Sequence, residues 1–206
     1  MIEGTGSWPR TTHDWAAGVD HAHLDLIRRR PGTYAPGGLL HLVLEVMAYA
    51  QDEAEALGRP GVCRVILGAD GSVAVSDDGR GTDTRRDPAG RPIRKPVMAT
   101  PDLRFFGTGR RRLLPDDHPR HGMSVVTVLS RWLTHTNHRQ DGAWTQRYEH
   151  GVPTTDLMPI PPSAAAGTTV RFSVDPDLVP SRTISLDRMR HAASAFSWLS
   201  TDVTAE

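Results

Sequence analysis

The sequence predicts an α+β fold, with helices on one face of a largely antiparallel mixed sheet. Two stretches, Gly38–Leu57 and Ser185–Leu199, repeat apolar residues at three- and four-residue steps, as a helix with one buried face does. Between them, pairs of short alternating segments meet at Asp-Gly turns: Val62–Leu67 with Ser72–Ser76, and Leu133–Arg139 with Ala143–Glu149. Hairpins next to amphipathic helices build a sheet with one covered face. With 206 residues the chain can bury a substantial core, and it reads as a single domain over 1–206.

Residues 1–19 read as a loose lead-in. A short helix follows over Asp20–Arg30, with Ala22, Leu24 and Ile27 on its apolar face, and Pro31-Gly32 stops it. In Gly38–Leu57 the apolar face is Leu39, Leu40, Val43, Val46, Met47, Ala50, Ala54 and Leu57, and Gly58 with Pro60 ends the helix. The first hairpin turns at Ala69-Asp70-Gly71. Periodicity then vanishes over 82–120 among scattered prolines, which marks a lid or insertion loop. Helical spacing resumes over His121–Trp132 through Val125, Val128, Leu129 and Trp132, and the second hairpin turns at Asp141-Gly142. Thr168–Val174 alternates Val170 and Phe172 with polar residues, as a strand does. Ser185 caps the last helix, which runs to Leu199.

Bulk properties exclude several classes. Net charge is zero, so DNA binding is not expected; Arg28–Arg30 and Arg110–Arg112 read as solvated faces. The single cysteine, Cys63, sits in an apolar run and reads as a buried thiol, not as half of an intramolecular disulfide or as a metal site. The N-terminus lacks the pattern of a signal peptide and no apolar run reaches membrane-spanning length, which predicts a cytoplasmic protein with no membrane partner. His21/His23 and His135/His138 lack further ligands for zinc, and no metal site is assigned. Phosphate-binding P-loop, Rossmann glycine pattern and nucleophilic serine elbow are all missing.

One stretch stands out chemically. Val73-Ala74-Val75-Ser76 reads as a half-buried strand that delivers Asp77-Asp78-Gly79-Arg80-Gly81 to its own end. Glycine there permits positive φ and close approach of a backbone or flat ligand. Taken alone, an acidic turn and a binding site are equally good readings of these residues.

Other segments carry a resemblance. Arg30-Pro31-Gly32-Thr33-Tyr34, His41-Leu42-Val43-Leu44-Glu45-Val46 with Asp52-Glu53-Ala54, Asp77-Asp78-Gly79-Arg80-Gly81, Ser124-Val125-Val126 with Leu129-Ser130, Tyr148-Glu149-His150-Gly151-Val152-Pro153 and Gly167-Thr168-Thr169-Val170-Arg171-Phe172 follow one another in order. Together they resemble the ATP-binding domain of the gyrase B family, in the GHKL group, whose Bergerat fold is α+β. The resemblance implies ATP as ligand. It makes Asp77 the acceptor for the adenine amino group, with Gly79, Gly81 and Thr168 around the adenine, and Glu45 the general base that activates water.

The departures from that family fall at the phosphate end. The position of the magnesium-binding asparagine is Tyr49, and a phenol is a poor, bulky ligand for a hard octahedral cation, which leaves magnesium in doubt. Ala48 replaces the preceding family aspartate. The glycine-rich phosphate turn is His118-Pro119-Arg120-His121-Gly122, in which Pro119 offers no N–H and Arg120 adds a side chain that could pair a phosphate by charge. Thr145 stands where an arginine is expected. The resemblance also places the phosphate-sensing lysine and the DNA-passing machinery beyond Glu206, outside this sequence.

Three functions follow as expectations. The first is a stand-alone nucleotide-binding protein with the adenine end of the cleft kept and magnesium-dependent hydrolysis impaired. The second is a repurposed small-molecule, biosynthetic enzyme using Glu45, Asp77, Tyr49 and His121 as acid–base groups. The third is a non-catalytic regulatory module, with Met1–Asp14, including Trp8, available as the arm of a homodimer.

Overall fold

The structure, a computed structural model, describes residues 12–14, 18–106, 112–139 and 142–206. Its elements run α1 (His21–Arg29), α2 (Pro31–Tyr34), α3 (Leu39–Leu57), β1 (Gly61–Leu67), β2 (Val73–Asp77), β3 (Thr84–Arg86), β4 (Pro92–Arg94), α4 (Met123–Val128), β5 (Ser130–Arg139), β6 (Gly142–Glu149), β7 (Val152–Pro153), β8 (Met158–Pro159), β9 (Gly167–Val174), α5 (Leu186–Ala193) and β10 (Leu199–Ala205). The α+β class predicted from the periodicities is the one observed.

Helix α3 is the spine. It begins after Gly38, whose φ of 63° and close approach to Ser181 suit only glycine, and it ends at Gly58, left-handed at φ 64°, whose N–H returns to the carbonyls of Ala54 and Glu55. Leu42, Val43, Leu44 and Met47 are fully buried on it. Burial on nearly every side of the first three turns shows that α3 is sandwiched: it packs on β1, β2 and β10 and also meets α4 and α5.

The main sheet has eight strands among the described residues, in the order β10-β1-β2-β9-β5-β6-β7, with β8 also on β6. Every pair is antiparallel except β1 with β10. Cys63 and Val65 on β1, Val73 and Val75 on β2, Val170 and Phe172 on β9 and Leu133 on β5 face the core. Burial pushes the Cys63 thiol up to about 12, as an inert structural thiol requires.

Two expectations from periodicity need correction. The helix predicted over His121–Trp132 ends at Val128. Ser130 already enters β5, and Trp132 follows a register irregularity against β9, so its apparent helical spacing is strand-borne. The final helix stops at Ala193, and Leu199–Ala205 pairs in parallel with β1 at the sheet edge. The 82–120 segment carries the small hairpin β3–β4, closed by the Asp87 side chain accepting the N–H groups of Ala89 and Arg91. The same segment buries Val97, Met98, Ala99, Asp102 and Phe105. Trp8, Arg110, Arg111 and the turn residue Asp141 lie outside the described residues.

Candidate functional site

Strand β2 delivers Asp77 to the rim of a cavity of about 310 Å³ that lies between α3, β9, β5 and the 80–98 segment. Asp77, Gly81, Thr168 and Tyr49 line it with the apolar Val46, Val75, Val97, Met98 and Val170. Apolar side chains interrupted by fixed polar groups suit a small-molecule site. Thr168 donates its hydroxyl to Asp77 Oδ2, and Gly79 N–H donates to Oδ1 at 2.8 Å. Burial raises the Asp77 carboxyl above its ordinary range, and these hydrogen bonds offset part of that rise.

Glycine makes this rim feasible. Gly81 sits at φ 82°, where an added Cβ would lie 2.6 Å from Asn137 Oδ1 and 2.9 Å from the His138 carbonyl. At Gly167 a Cβ would fall 2.0 Å from the Asp77 carbonyl oxygen, so β9 passes against the end of β2 only because no side chain is there. Arg80 closes one border by gripping Glu53 through Nε at 2.6 Å and Nη2 at 3.0 Å.

At the other border the side chains are bonded to one another. Glu45 on α3 is fully buried and accepts backbone N–H groups from His121, on Oε1, and from Gly122, on Oε2 at 2.9 Å. Arg120 pairs with Asp52 at 2.8 Å and approaches Glu45 Oε2 at 3.8 Å, with its guanidinium over the rings of Tyr49 and Phe105. The Tyr49 hydroxyl donates to Asp102 Oδ2 at 2.5 Å, and Arg104 binds both Asp102 and Asp52 at 2.7 Å. Burial raises the Glu45 carboxyl, with Arg120 and the two N–H groups opposing it. At Asp102 burial acts in the same direction, but hydrogen bonds from His13, Arg104 and Tyr49 overcome it and hold the carboxyl well below the usual range.

This arrangement has a chemical consequence. Backbone N–H groups expected to cradle phosphate are spent on a carboxylate, and the carboxylate expected to activate water is engaged through both oxygens. The donor set also fits magnesium poorly, because the Tyr49 phenol is already donating to Asp102 and two guanidinium groups stand beside it. Among the described residues, one grouping has the make-up of a partial metal cluster: His41, Glu45 and His121.

The candidate residues thus divide. Tyr49, Asp77, Gly81 and Thr168 share the cavity, with Gly79 bound to Asp77 behind them. Glu45, His121 and Arg120 sit in the buried cluster and do not line the cavity. Sequence reasoning missed Asp102 and Arg104, whose one available signal was the short apolar run Val97-Met98-Ala99 inside a polar segment. It also missed His135 and Asn137, which occupy inward positions of β5 and bind Thr82. Burial, with Arg94 nearby, lowers His135 to about 3, so its ring is neutral.

Comparison with known proteins agrees with this fold. No family model matches. The chain is 36% identical over 186 residues to the DNA gyrase B protein of Thermotoga maritima, covering 85% of this chain and 28% of that protein. It is 32% identical over 193 residues to the DNA topoisomerase 4 B protein of Bacillus subtilis, covering 89% of this chain and 29% of the relative. The chain therefore spans under a third of the length of these relatives. The topoisomerase IV ATP-binding domain of Francisella tularensis, solved with a small-molecule inhibitor, superposes with a TM-score of 0.70 at 24% identity, covering 89% of this chain and 90% of that one. The protein has the ATP-binding fold of the GHKL group. Within that group the chain is gyrase-B-like: it aligns with part of the DNA gyrase B and DNA topoisomerase 4 B proteins.

Proposed function

We propose that this chain binds a flat, purine-like ligand at the Asp77 end of its cavity and is impaired in magnesium-dependent ATP hydrolysis. The observation that carries the reading is the engagement of both Glu45 oxygens by the N–H groups of His121 and Gly122. Phosphoryl transfer depends on positioning and charge stabilisation, so a carboxylate turned away from the cavity lining and N–H groups bound to it in place of a phosphate weaken both contributions. At the adenine end, Asp77 offers a buried carboxylate acceptor beside Thr168, which suits an exocyclic amino group on an apolar floor. A cytoplasmic location, one domain over 1–206 and a homodimer formed through the N-terminal segment belong to the same proposal. DNA binding does not, given a net charge of zero.

A phosphate-release assay tests it. With ATP and magnesium, the wild-type protein and Glu45→Ala should both release phosphate at the background rate. Magnesium-dependent release that Glu45→Ala abolishes would overturn the reading.

A second reading, a repurposed biosynthetic enzyme, draws on the presence of Asp77 and Tyr49 in one cavity and on the upward shift of Asp77 by burial. Its acid–base pair would be those two residues, since Glu45 and His121 lie outside the cavity lining.

A further inference from the structure

We propose that His41, Glu45 and His121 form a site for a transition-metal dication, zinc above all, which ties α3 to the turn before α4. All three residues are buried, at 0%, 0% and 5% exposure, and their ligand atoms lie within 4.8 Å of one another. This grouping is separate from the position of Tyr49, and the inference does not depend on what the cavity binds.

Orientation at His41 is the strongest observation. Nδ1 meets Asp116 Oδ2 at 2.8 Å, so a carboxylate orients the ring and turns Nε2 toward the cluster. Nε2 has no hydrogen-bond partner and faces Glu45 Oε1 at 3.6 Å. Nε2 and Oε1 this close together and away from water call for a positive charge between them, either a shared metal ion or a proton on Nε2. A carboxylate that holds one imidazole nitrogen while the other points at a shared centre is the usual outer-shell support of a metal-bound histidine.

Glu45 retains the capacity to take part. Oε1 accepts a single N–H, from His121, and keeps a lone pair, while Oε2 takes Gly122 and faces Arg120. The Arg120 charge opposes a cation here, but it is matched more closely by Asp52 at 2.8 Å. Two imidazoles and one carboxylate are a ligand set for zinc, and intermediate donors of this kind favour zinc, nickel or copper over magnesium.

The test uses the full chain, free of any tag and stripped with a chelator, titrated with zinc against a chromophoric competitor. One zinc per chain is expected, undisturbed by excess magnesium. Asp116→Asn should weaken zinc by about 10–100-fold, and His41→Gln and His121→Gln by more. His21→Gln and His191→Gln, exposed on α1 and α5, should leave it unchanged. Circular dichroism checks that each variant is folded, and zinc should raise the melting temperature of the wild type but not of His121→Gln. Absence of stoichiometric zinc binding, or binding undiminished in folded His41→Gln and His121→Gln, would overturn the proposal. So would nitrogen NMR showing His41 as an imidazolium that bridges Asp116 and Glu45 in the presence of zinc.

Discussion

Glu45 accepts the backbone N–H of Gly122 at 2.9 Å, so this buried side chain holds the turn before α4 to α3. An acceptor that satisfies two buried N–H groups is structural in the first instance. Glu45→Gln leaves one acceptor oxygen and turns an NH₂ toward the second donor. The expected cost is about 1–3 kcal/mol, or roughly a 3–10 °C fall in melting temperature for a chain of this size, read by thermal denaturation.

Asp102 has a pH signature. Its carboxyl is held below the usual range in the folded state, so the folded state binds fewer protons than the unfolded one as the pH falls. That stabilisation is complete above the ordinary aspartate value of about 4 and is lost progressively below it. Wild type should therefore exceed Asp102→Asn in stability most at neutral pH, and the gap should narrow as melts are repeated toward a pH of about 2.

Two glycines separate conformational strain from collision. Gly71 is at φ 77° with open space around its missing side chain, whereas Gly81 at φ 82° would drive a methyl into Asn137 and the His138 carbonyl. Gly71→Ala should cost about 1 kcal/mol, from φ alone. Gly81→Ala should cost at least about 2 kcal/mol in denaturant unfolding and also weaken ligand binding, because β5 must move.

Much of this architecture was legible from periodicity. Helix α3 declared itself through its apolar steps and through Gly58, and β1, β2 and β9 through alternation. Strand β10 did not, because Leu199-Ser200-Thr201-Asp202-Val203-Thr204-Ala205 is an edge strand that buries Val203 alone and so shows no alternating signal. Strands β3 and β4 are three residues each and rich in arginine. At the site, Asp77 with its glycines was readable as local chemistry. The Tyr49–Asp102–Arg104–Asp52–Arg120 network was not, because its members come from three segments that meet only in the fold.

That network limits what one substitution can restore. Tyr49→Asn puts a carboxamide where the family resemblance expects a magnesium ligand, but Arg120 and the N–H groups of His121 and Gly122 still hold Glu45. ATP titrations of Tyr49→Asn should show no more magnesium dependence than the wild type.

The central claim is that the purine end of the cavity binds while the phosphate end is closed. Comparing the affinities of adenosine and ATP by calorimetry, with and without magnesium, tests it most directly. The account predicts equal affinities to within about tenfold, or about 1.4 kcal/mol, with no effect of magnesium. ATP binding that is at least about a hundredfold tighter than adenosine, and only with magnesium present, would contradict it.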